Sequence, residues 1–530
     1  MKMQKIMDSS NYMERETGIA QLKEKAKRWD LIIIGGGATG LGTAVDAAAR
    51  GYATLLLEQG DFAQGTSSRS TKLIHGGVRY LQQGNLSLIV EALKERGRLL
   101  RNAPHLVFNL PFVVPNYDWW EGPFYGIGLK IYDMLAGKEG FGGSEILSRK
   151  ETLKHIPTVE TLGLKCGVIY HDGQFDDARL AINLAQTAWE QGAVVVNYMR
   201  VEALLKKDDF IEGVIACDVE TGTEYPLKAK AVINATGPFC DGIRRMDDPA
   251  SRAMIQPSQG VHIVLDKSFL PGDSAIMVPH TDDGRVLFAV PWHDRVIVGT
   301  TDTPLEKVSL EPIPLSEEID FLISHSSRYL AKDPGKEDIR SMFAGIRPLV
   351  GQQGLSDTAA LSRDHVLSIS RSGLITTTGG KWTTYRKMAE ETVDQAAVIG
   401  QLDPKPCTTQ DLKIHGYHED PASFGNLAIY GSDALRVRDC INQDNALREK
   451  IDPDLDVFAG EVFWAVKNEM VRTVEDFLSR RRRVLIRDAA AGIRMAPRVA
   501  EILSKALGRD DSWRLEQVKR FTNLARGYLP

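Results

Sequence analysis

At 530 residues the chain is too long for one ordinary hydrophobic core, so two or three domains are expected. An apolar fraction of 43% and a charged fraction of 25% are those of a globular protein, and a net charge of −5 offers no general attraction for nucleic acid. Five scattered cysteines without a CxxC pair exclude a disulfide framework and a zinc site, and no apolar run approaches the roughly 18 residues of a spanning helix.

Residues 1–28 are charged and lack the apolar stretch of a secretory signal. They read as a frayed extension, with a short basic helix over 19–28 touching anionic lipid as the alternative. Leu31-Ile32-Ile33-Ile34 then forms a buried strand that runs into Gly35-Gly36-Gly37-Ala38-Thr39-Gly40, an alanine-rich helix to Arg50, a second strand over 53–57, and Glu58. Glycines at 35, 37 and 40 fit the dinucleotide fingerprint: a tight turn, a backbone approach to a pyrophosphate, and close helix–strand packing. The diphosphate would rest on the helix N-terminus, and Glu58 stands where a carboxylate accepts an adenosine ribose hydroxyl.

Residues 59–80 are too polar and glycine-broken for core, and their hydroxyls, Lys72 and Gly76-Gly77 suit a cofactor's diphosphate and ring. Residues 86–102 read as an amphipathic helix, broken beyond by Pro104 and Pro111. Residues 116–132 gather Trp119, Trp120, Phe124, Tyr125 and Tyr132 among glycines and are expected to pack on the body, with an exposed membrane-contacting patch as the alternative. A helix over 178–191, a strand over 194–196, a hairpin of 211–219 with 224–228, and a parallel strand over 231–235 ending in Thr236-Gly237 follow. Strands at 261–265, 286–290 and 296–298 predict a mainly antiparallel layer. Ser316-Glu317-Glu318 opens a helix to 330. A strand over 374–377 and a helix over 381–398 close this part. After a linker at 403–406, helices are expected over 460–478, 488–507 and 513–525. The Arg480-Arg481-Arg482-Arg483 run reads as a salt-bridged or solvated helical face rather than a site for lipid or a partner.

Six segments carry a family resemblance. GGGATG, TSSRSTKLIHGGVRYL, VINATGP (232–238), VGTTDT (298–303), AGIRPL (344–349) and TGGKWTTYR (378–386) resemble the FAD-dependent, quinone-linked glycerol-3-phosphate dehydrogenases, of the glucose-inhibited-division and D-amino-acid-oxidase structural class. The likeness runs from residue 30 to the C-terminus. It implies an α/β protein: an FAD-binding Rossmann-like domain with an interleaved, D-amino-acid-oxidase-like antiparallel-sheet substrate domain, plus a C-terminal α-helical domain. The boundaries implied are an extension at 1–29, the FAD-dependent oxidoreductase at 30–402 with its substrate part mainly at 100–170 and 255–365, and a helical cap at 403–530. Residues 168–179 resemble the crossing between cofactor and substrate domains.

The same resemblance supplies the site. FAD is expected against Gly35, Gly37, Ala38, Thr39, Gly40 and Glu58; Thr66, Ser67, Ser68, Lys72, Leu73, His75 and Gly76; Val201; Ala235, Thr236 and Gly237; Asp302; and Gly380, Lys381, Trp382 and Thr383. The implied reaction oxidises the C2 hydroxyl of sn-glycerol 3-phosphate to dihydroxyacetone phosphate, with hydride transfer to flavin N5 and electrons passed to membrane quinone. Because flavin carries the redox chemistry, the protein must grip a dianionic phosphate and take a proton. Arg79, Tyr80, Arg347 and Lys381 are the expected substrate groups, with Arg347 near the reacting hydroxyl; Arg347, His262 and Lys381 form the catalytic set. His262 is the candidate proton acceptor, and His75 alternatively faces the isoalloxazine edge. Many relatives carry lysine where Gln259 stands, which removes one cation here. Oxidases of the family carry a long central insertion, and none separates the matched motifs. Quinone, a peripheral membrane surface at the cytoplasmic face, glycerol 3-phosphate and a homodimer partner are therefore expected, with no nucleic acid and no metal. The alternatives are a glycerol-3-phosphate oxidase using oxygen, a related amine or hydroxy-acid oxidase, and a non-catalytic flavin-binding sensor.

Overall fold

The run Leu31-Ile32-Ile33-Ile34 is buried because helices and strands cover both faces of its strand, Arg28–Ile34. Side chains alternate with period two. Leu31 and Ile33 enter one core with the helices Ala38–Ala49, Asp177–Glu190 and Tyr385–Ile399; Ile32 and Ile34 enter a second core with the hairpin Met199–Lys207 and Phe210–Asp218. The structure, a computed structural model, describes residues 12–24, 27–77, 86–279, 281, 286–351 and 365–530. In this first sheet Arg28–Ile34 pairs in parallel with Thr54–Leu57 and with Glu224–Asn234, and Val194–Val196, Ile375–Gly379 and His365–Ile369 extend it. The expected hairpin arm at 224–228 and strand at 231–235 are one strand: its start pairs antiparallel with Phe210–Asp218 and the remainder runs parallel to Arg28–Ile34.

Ile255–Asp266 centres the second sheet, antiparallel to Ser341–Val350 and to Arg295–Gly299. Leu287–Trp292, Ala275–Val278, Val107–Asn116 and Cys166–Phe175 continue it. Cys166–Phe175 hands the chain straight to the helix Asp177–Glu190, whose N-cap Asp176 accepts the Arg179 N–H at 3.1 Å. A strand of one sheet thus feeds a helix covering the other, and the two layers interleave along one chain. Among the described residues no helix is long and apolar enough to cross a membrane.

Three expectations are corrected. Pro111 does not end an element: Val107–Asn116 runs through Pro111 and Pro115 opposite Cys166–Phe175, since a long ladder outweighs two missing donors. Residues 13–24 are not frayed. Arg15, in the helix Arg15–Leu22, is buried and donates to the Asn197 carbonyl at 3.0 Å and to Asp218 at 2.8 Å, so a long-range ion pair docks a segment with little apolar surface. Residues 460–478 are not one helix. Ala459–Asn468 ends before Met470, which has φ of 53°, and Asp476–Arg481 is a π-helical turn. Of the two forms expected for the run Arg480 to Arg483, salt-bridged or solvated, it takes the first: all four are buried and face carboxylates. The C-terminal helices Ala459–Asn468, Ala489–Leu507 and Asp511–Arg526 share a core that also takes Val264, Trp292, Ile297 and Phe343 from the second sheet.

Candidate active site

A cavity of ≈ 1200 Å³ runs from the end of Arg28–Ile34 to the face of Ser341–Val350, at the seam of the two sheets. That exceeds the ~300–1,000 Å³ of an ordinary single-ligand pocket and suits an extended cofactor together with a substrate.

At one end lies the glycine turn. Gly35 has φ of +108°, and a Cβ there would stand 2.7 Å from the Ala235 carbonyl oxygen; a Cβ on Gly40 would stand 1.9 Å from the Gly35 carbonyl oxygen. Only glycine at both positions lets the helix Ala38–Ala49 start directly on the strand. Gly40 therefore serves packing and is not on the cavity wall, whereas Gly37, Ala38 and Thr39 are, at the partly positive helix N-terminus. Glu58, Val201, Ala235, Thr236 and Gly237 complete this end. Both Glu58 oxygens accept backbone N–H groups, from Gly36 at 2.6 Å and Gly60 at 2.8 Å, and burial pushes its pKa up. Each oxygen keeps a second lone pair for a ribose hydroxyl, so Glu58 also braces the glycine turn.

The loop after Glu58 forms the middle of the wall. Ser67 Oγ accepts the Ala38 N–H at 2.9 Å, and its carbonyl accepts the Trp382 indole N–H at 2.9 Å. Thr66, Ser67, Leu73 and His75 line the cavity on this side and Gly380, Lys381, Trp382 and Thr383 on the other; the Thr383 hydroxyl donates to the His75 carbonyl at 3.3 Å. Besides Gly40, three expected cofactor residues do not reach the wall. Ser68 is buried behind the loop. Gly76 turns its N–H to the Tyr132 hydroxyl at 2.8 Å. Lys72 is fully buried, with Nζ donating to the Ser68 and Ser70 carbonyls and to Asp177 at 2.8 Å; burial lowers its pKa to about 8. Lys72 holds the loop from behind.

The far end gathers the chemistry. Arg347 projects from Ser341–Val350 and donates to the Gln259 carbonyl at 3.3 Å, Asp302 at 3.4 Å and Thr300 Oγ1 at 3.1 Å. A Cβ on Gly260 would fall 2.5 Å from Arg347 Nη2, so the guanidinium lies across that glycine. His262, two residues past Gly260 on Ile255–Asp266, is buried and stacked on Phe343 with ring centroids 4.7 Å apart. Its Nε2 meets Thr71 Oγ1 at 2.9 Å, and Nδ1 has no hydrogen-bond partner among the described residues. Burial, then the Lys72 and Arg347 cations, hold His262 well below the usual imidazole range, so the ring is neutral. Lys381 opens onto the same cavity. Arg79 and Tyr80 lie outside the described residues.

Asp302 lines the cavity, as expected, and its Oδ1 accepts from Ser258 Oγ and from Arg347, so it is also the partner of the arginine. Gln259, in the position of the missing lysine, is buried and donates to Glu318 at 2.8 Å; Glu318 also accepts from Thr301 and Thr303, bracing the 300–303 segment. Sequence reasoning missed Thr71, Thr300 and Gly260. Each sits in or beside a quoted motif, but nothing local signals its partner.

The same cavity is also lined by Phe112, Tyr170, Met277 and Phe288, and it reaches the helix Glu121–Ala136. Tyr125 and Leu129 are buried, while Trp120, Phe124, Ile127, Ile131 and Met134 form an exposed stripe at helical spacing, of which Phe124, Ile127 and Ile131 also line the cavity. Trp119 and Met134 are 82% and 81% exposed, so the aromatic segment has an outward face in addition to the packed one expected.

A glycine-turn cradle, a cavity large enough for a dinucleotide plus substrate, and a cationic end facing a neutral histidine define an FAD-dependent oxidoreductase. Residues 30–386 match the family model of that description, "FAD dependent oxidoreductase", and residues 379–514 match that of the C-terminal domain of alpha-glycerophosphate oxidase. The chain is 40% identical to the mitochondrial glycerol-3-phosphate dehydrogenase of Bos taurus, over 97% of this chain and 76% of the relative, and 39% identical to that of Schizosaccharomyces pombe, over 94% and 87%. The structure of the glycerol-3-phosphate dehydrogenase from Bacillus halodurans, complexed with FAD, superposes with a TM-score of 0.80 at 30% identity, covering 98% of each chain. The chain belongs to the FAD-dependent glycerol-3-phosphate dehydrogenase family. The residues present fit FAD: the side-chain-free wall at Gly37, Gly237 and Gly380 and the helix N-terminus leave room for a backbone approach along one side of the cavity.

Proposed function

We propose that the protein oxidises the C2 hydroxyl of sn-glycerol 3-phosphate to dihydroxyacetone phosphate and passes the electrons to a membrane quinone. One observation carries this: a single cavity joins the dinucleotide cradle to Arg347, Lys381 and a neutral, buried His262. Bound FAD supplies the two-electron acceptor. The chain's own groups do the rest. Arg347 and Lys381, with Arg79 and Tyr80, hold the phosphoester, and Arg347, fixed by Gln259, Asp302 and Thr300, stands beside the reacting hydroxyl. His262, neutral and on the cavity wall, is the group that takes the hydroxyl proton.

The apolar part of the cavity lining supports quinone as the acceptor. It reaches the exposed stripe of Glu121–Ala136, which suits a peripheral seat on the cytoplasmic face of the cell membrane. Trp119→Asp with Met134→Asp, both off the cavity wall, is expected to weaken binding to anionic vesicles at least about tenfold while leaving turnover with a soluble dye unchanged. Co-sedimentation equal to wild type would remove the stripe from the membrane contact.

The function itself is tested by anaerobic titration of the yellow protein with glycerol 3-phosphate. Stoichiometric bleaching, fast recovery of colour with a ubiquinone analogue and slow recovery with oxygen are expected. No bleaching would end the substrate assignment, and rapid recovery with oxygen would make the protein an oxidase.

A further inference from the structure

The loop Asp61 to Thr71 has two sides. Its front lines the cavity: Ser67 meets the first turn of Ala38–Ala49, and Thr71 holds His262. Its back is gripped by the arginine run of the C-terminal domain. Arg480 and Arg481 donate to Asp61 at 2.5 and 2.6 Å, and Arg483 Nη2 donates to the Ser68 carbonyl and to Asp177, both at 2.8 Å. Lys72 shares those two acceptors, and Asp177 also accepts the Ser70 N–H and hydroxyl.

Stability alone is a poor reason for this arrangement. Asp61, Asp177, Arg481 and Arg483 are at most 1% exposed, and buried ion pairs of this kind commonly do no better than apolar side chains of the same volume. The backbone is also costly. Arg483 is a non-glycine residue at φ 59° and ψ 17°, two residues past the end of the π-helical turn Asp476–Arg481. That conformation turns Arg482 and Arg483 in different directions: Arg482 stays within the C-terminal domain, on Glu461 at 3.2 Å and the Asp456 carbonyl at 2.6 Å, while Arg483 reaches the cofactor loop.

We propose that Arg483 is a positioning residue for the FAD loop, through which the C-terminal domain sets the seat of the flavin and the Thr71–His262 contact. The proposal rests on the cavity being the FAD site and is independent of which substrate is oxidised. While Arg483 Nη2 holds Ser68 and Asp177, Nη1 of the same rigid fork donates to the Ser479 carbonyl of the C-terminal domain at 2.9 Å; a lysine ammonium lacks that fork and so loses the tie between the two sides, and a thioether makes none of these bonds.

The test compares Arg483→Lys, Arg483→Met and Arg482→Met in the full chain, each measured for FAD dissociation constant by flavin fluorescence, flavin absorption spectrum, and melting temperature. Losing a charge-assisted hydrogen bond corresponds to about tenfold or more in an equilibrium constant. Arg483→Met is therefore expected to weaken FAD binding at least about tenfold and to shift the flavin spectrum, with Arg483→Lys in between. Arg482→Met is expected to lower the melting temperature with FAD affinity within about threefold of wild type. Should Arg483→Met not fold, Arg483→Lys carries the same comparison. Equal FAD affinity in Arg483→Lys and wild type, or the same loss in the Arg482 and Arg483 variants, overturns the assignment.

Discussion

Replacing Arg347 by alanine is expected to lower kcat/KM for glycerol 3-phosphate by about 10²–10³ while the protein stays yellow. The guanidinium is fixed by three acceptors and lies across Gly260, so its position is set before substrate arrives. Removal takes away a fork suited to an anionic substrate. It also leaves the Asp302 carboxylate on the wall without the cation it faces. Both changes oppose a dianion, and neither touches the glycine turn that seats FAD. Arg347→Lys keeps the charge but not the geometry and is expected to fall between. Steady-state kinetics and the flavin absorbance of the purified variants check this. Unchanged kcat/KM removes Arg347 from the site, and a colourless protein shows that its role is structural.

The second large effect is expected at His262. Asparagine there should cost about 10²–10⁴ in kcat, with the loss partly relieved as pH rises and hydroxide replaces the base. The pH profile separates this from a packing defect. Burial and the Lys72 and Arg347 cations hold the folded imidazole well below its ordinary value of 6.5, so the acid limb of wild-type kcat/KM should lie below pH 6.5 and vanish in the variant. The same depression has a stability consequence. Below about pH 6.5 the unfolded histidine binds a proton that the folded one refuses, so unfolding becomes easier on acidification, by up to ~1.4 kcal/mol per pH unit. His262→Asn should flatten that slope in denaturant titrations between pH 5 and 7. A wild-type acid limb at 6.5 or above, kept in the variant, would assign the proton to another group.

The parts of the fold that were legible in sequence have local causes. Leu31 to Ile34 is a continuous apolar run because both faces of a parallel strand are buried, and Gly35 and Gly40 stand where any side chain would strike a carbonyl. Val261 to Leu265 and Val296 to Val298 alternate into a shared ladder at the predicted positions. What escaped reading depended on partners distant in sequence. Pro111 looked like a breaker until ten residues of ladder absorbed it, and Glu121–Ala136, rich in glycine and aromatics, has no simple inward stripe because its outer face is apolar as well. Lys72 carried the right residue type inside the right motif, yet it is buried off the cavity wall with its charge spent on Asp177.

The chain's order of motifs was enough to determine its family and its dinucleotide cradle, because each is written in side chains and glycines adjacent in sequence. Which way those side chains point was decided by tertiary structure alone. Arg480 to Arg483 show the reason: four identical, consecutive residues acquire different partners, Asp61 for two of them, Glu461 for the third and Asp177 for the last. The difference arises from a π turn and one left-handed residue that only the packed surroundings can hold in place.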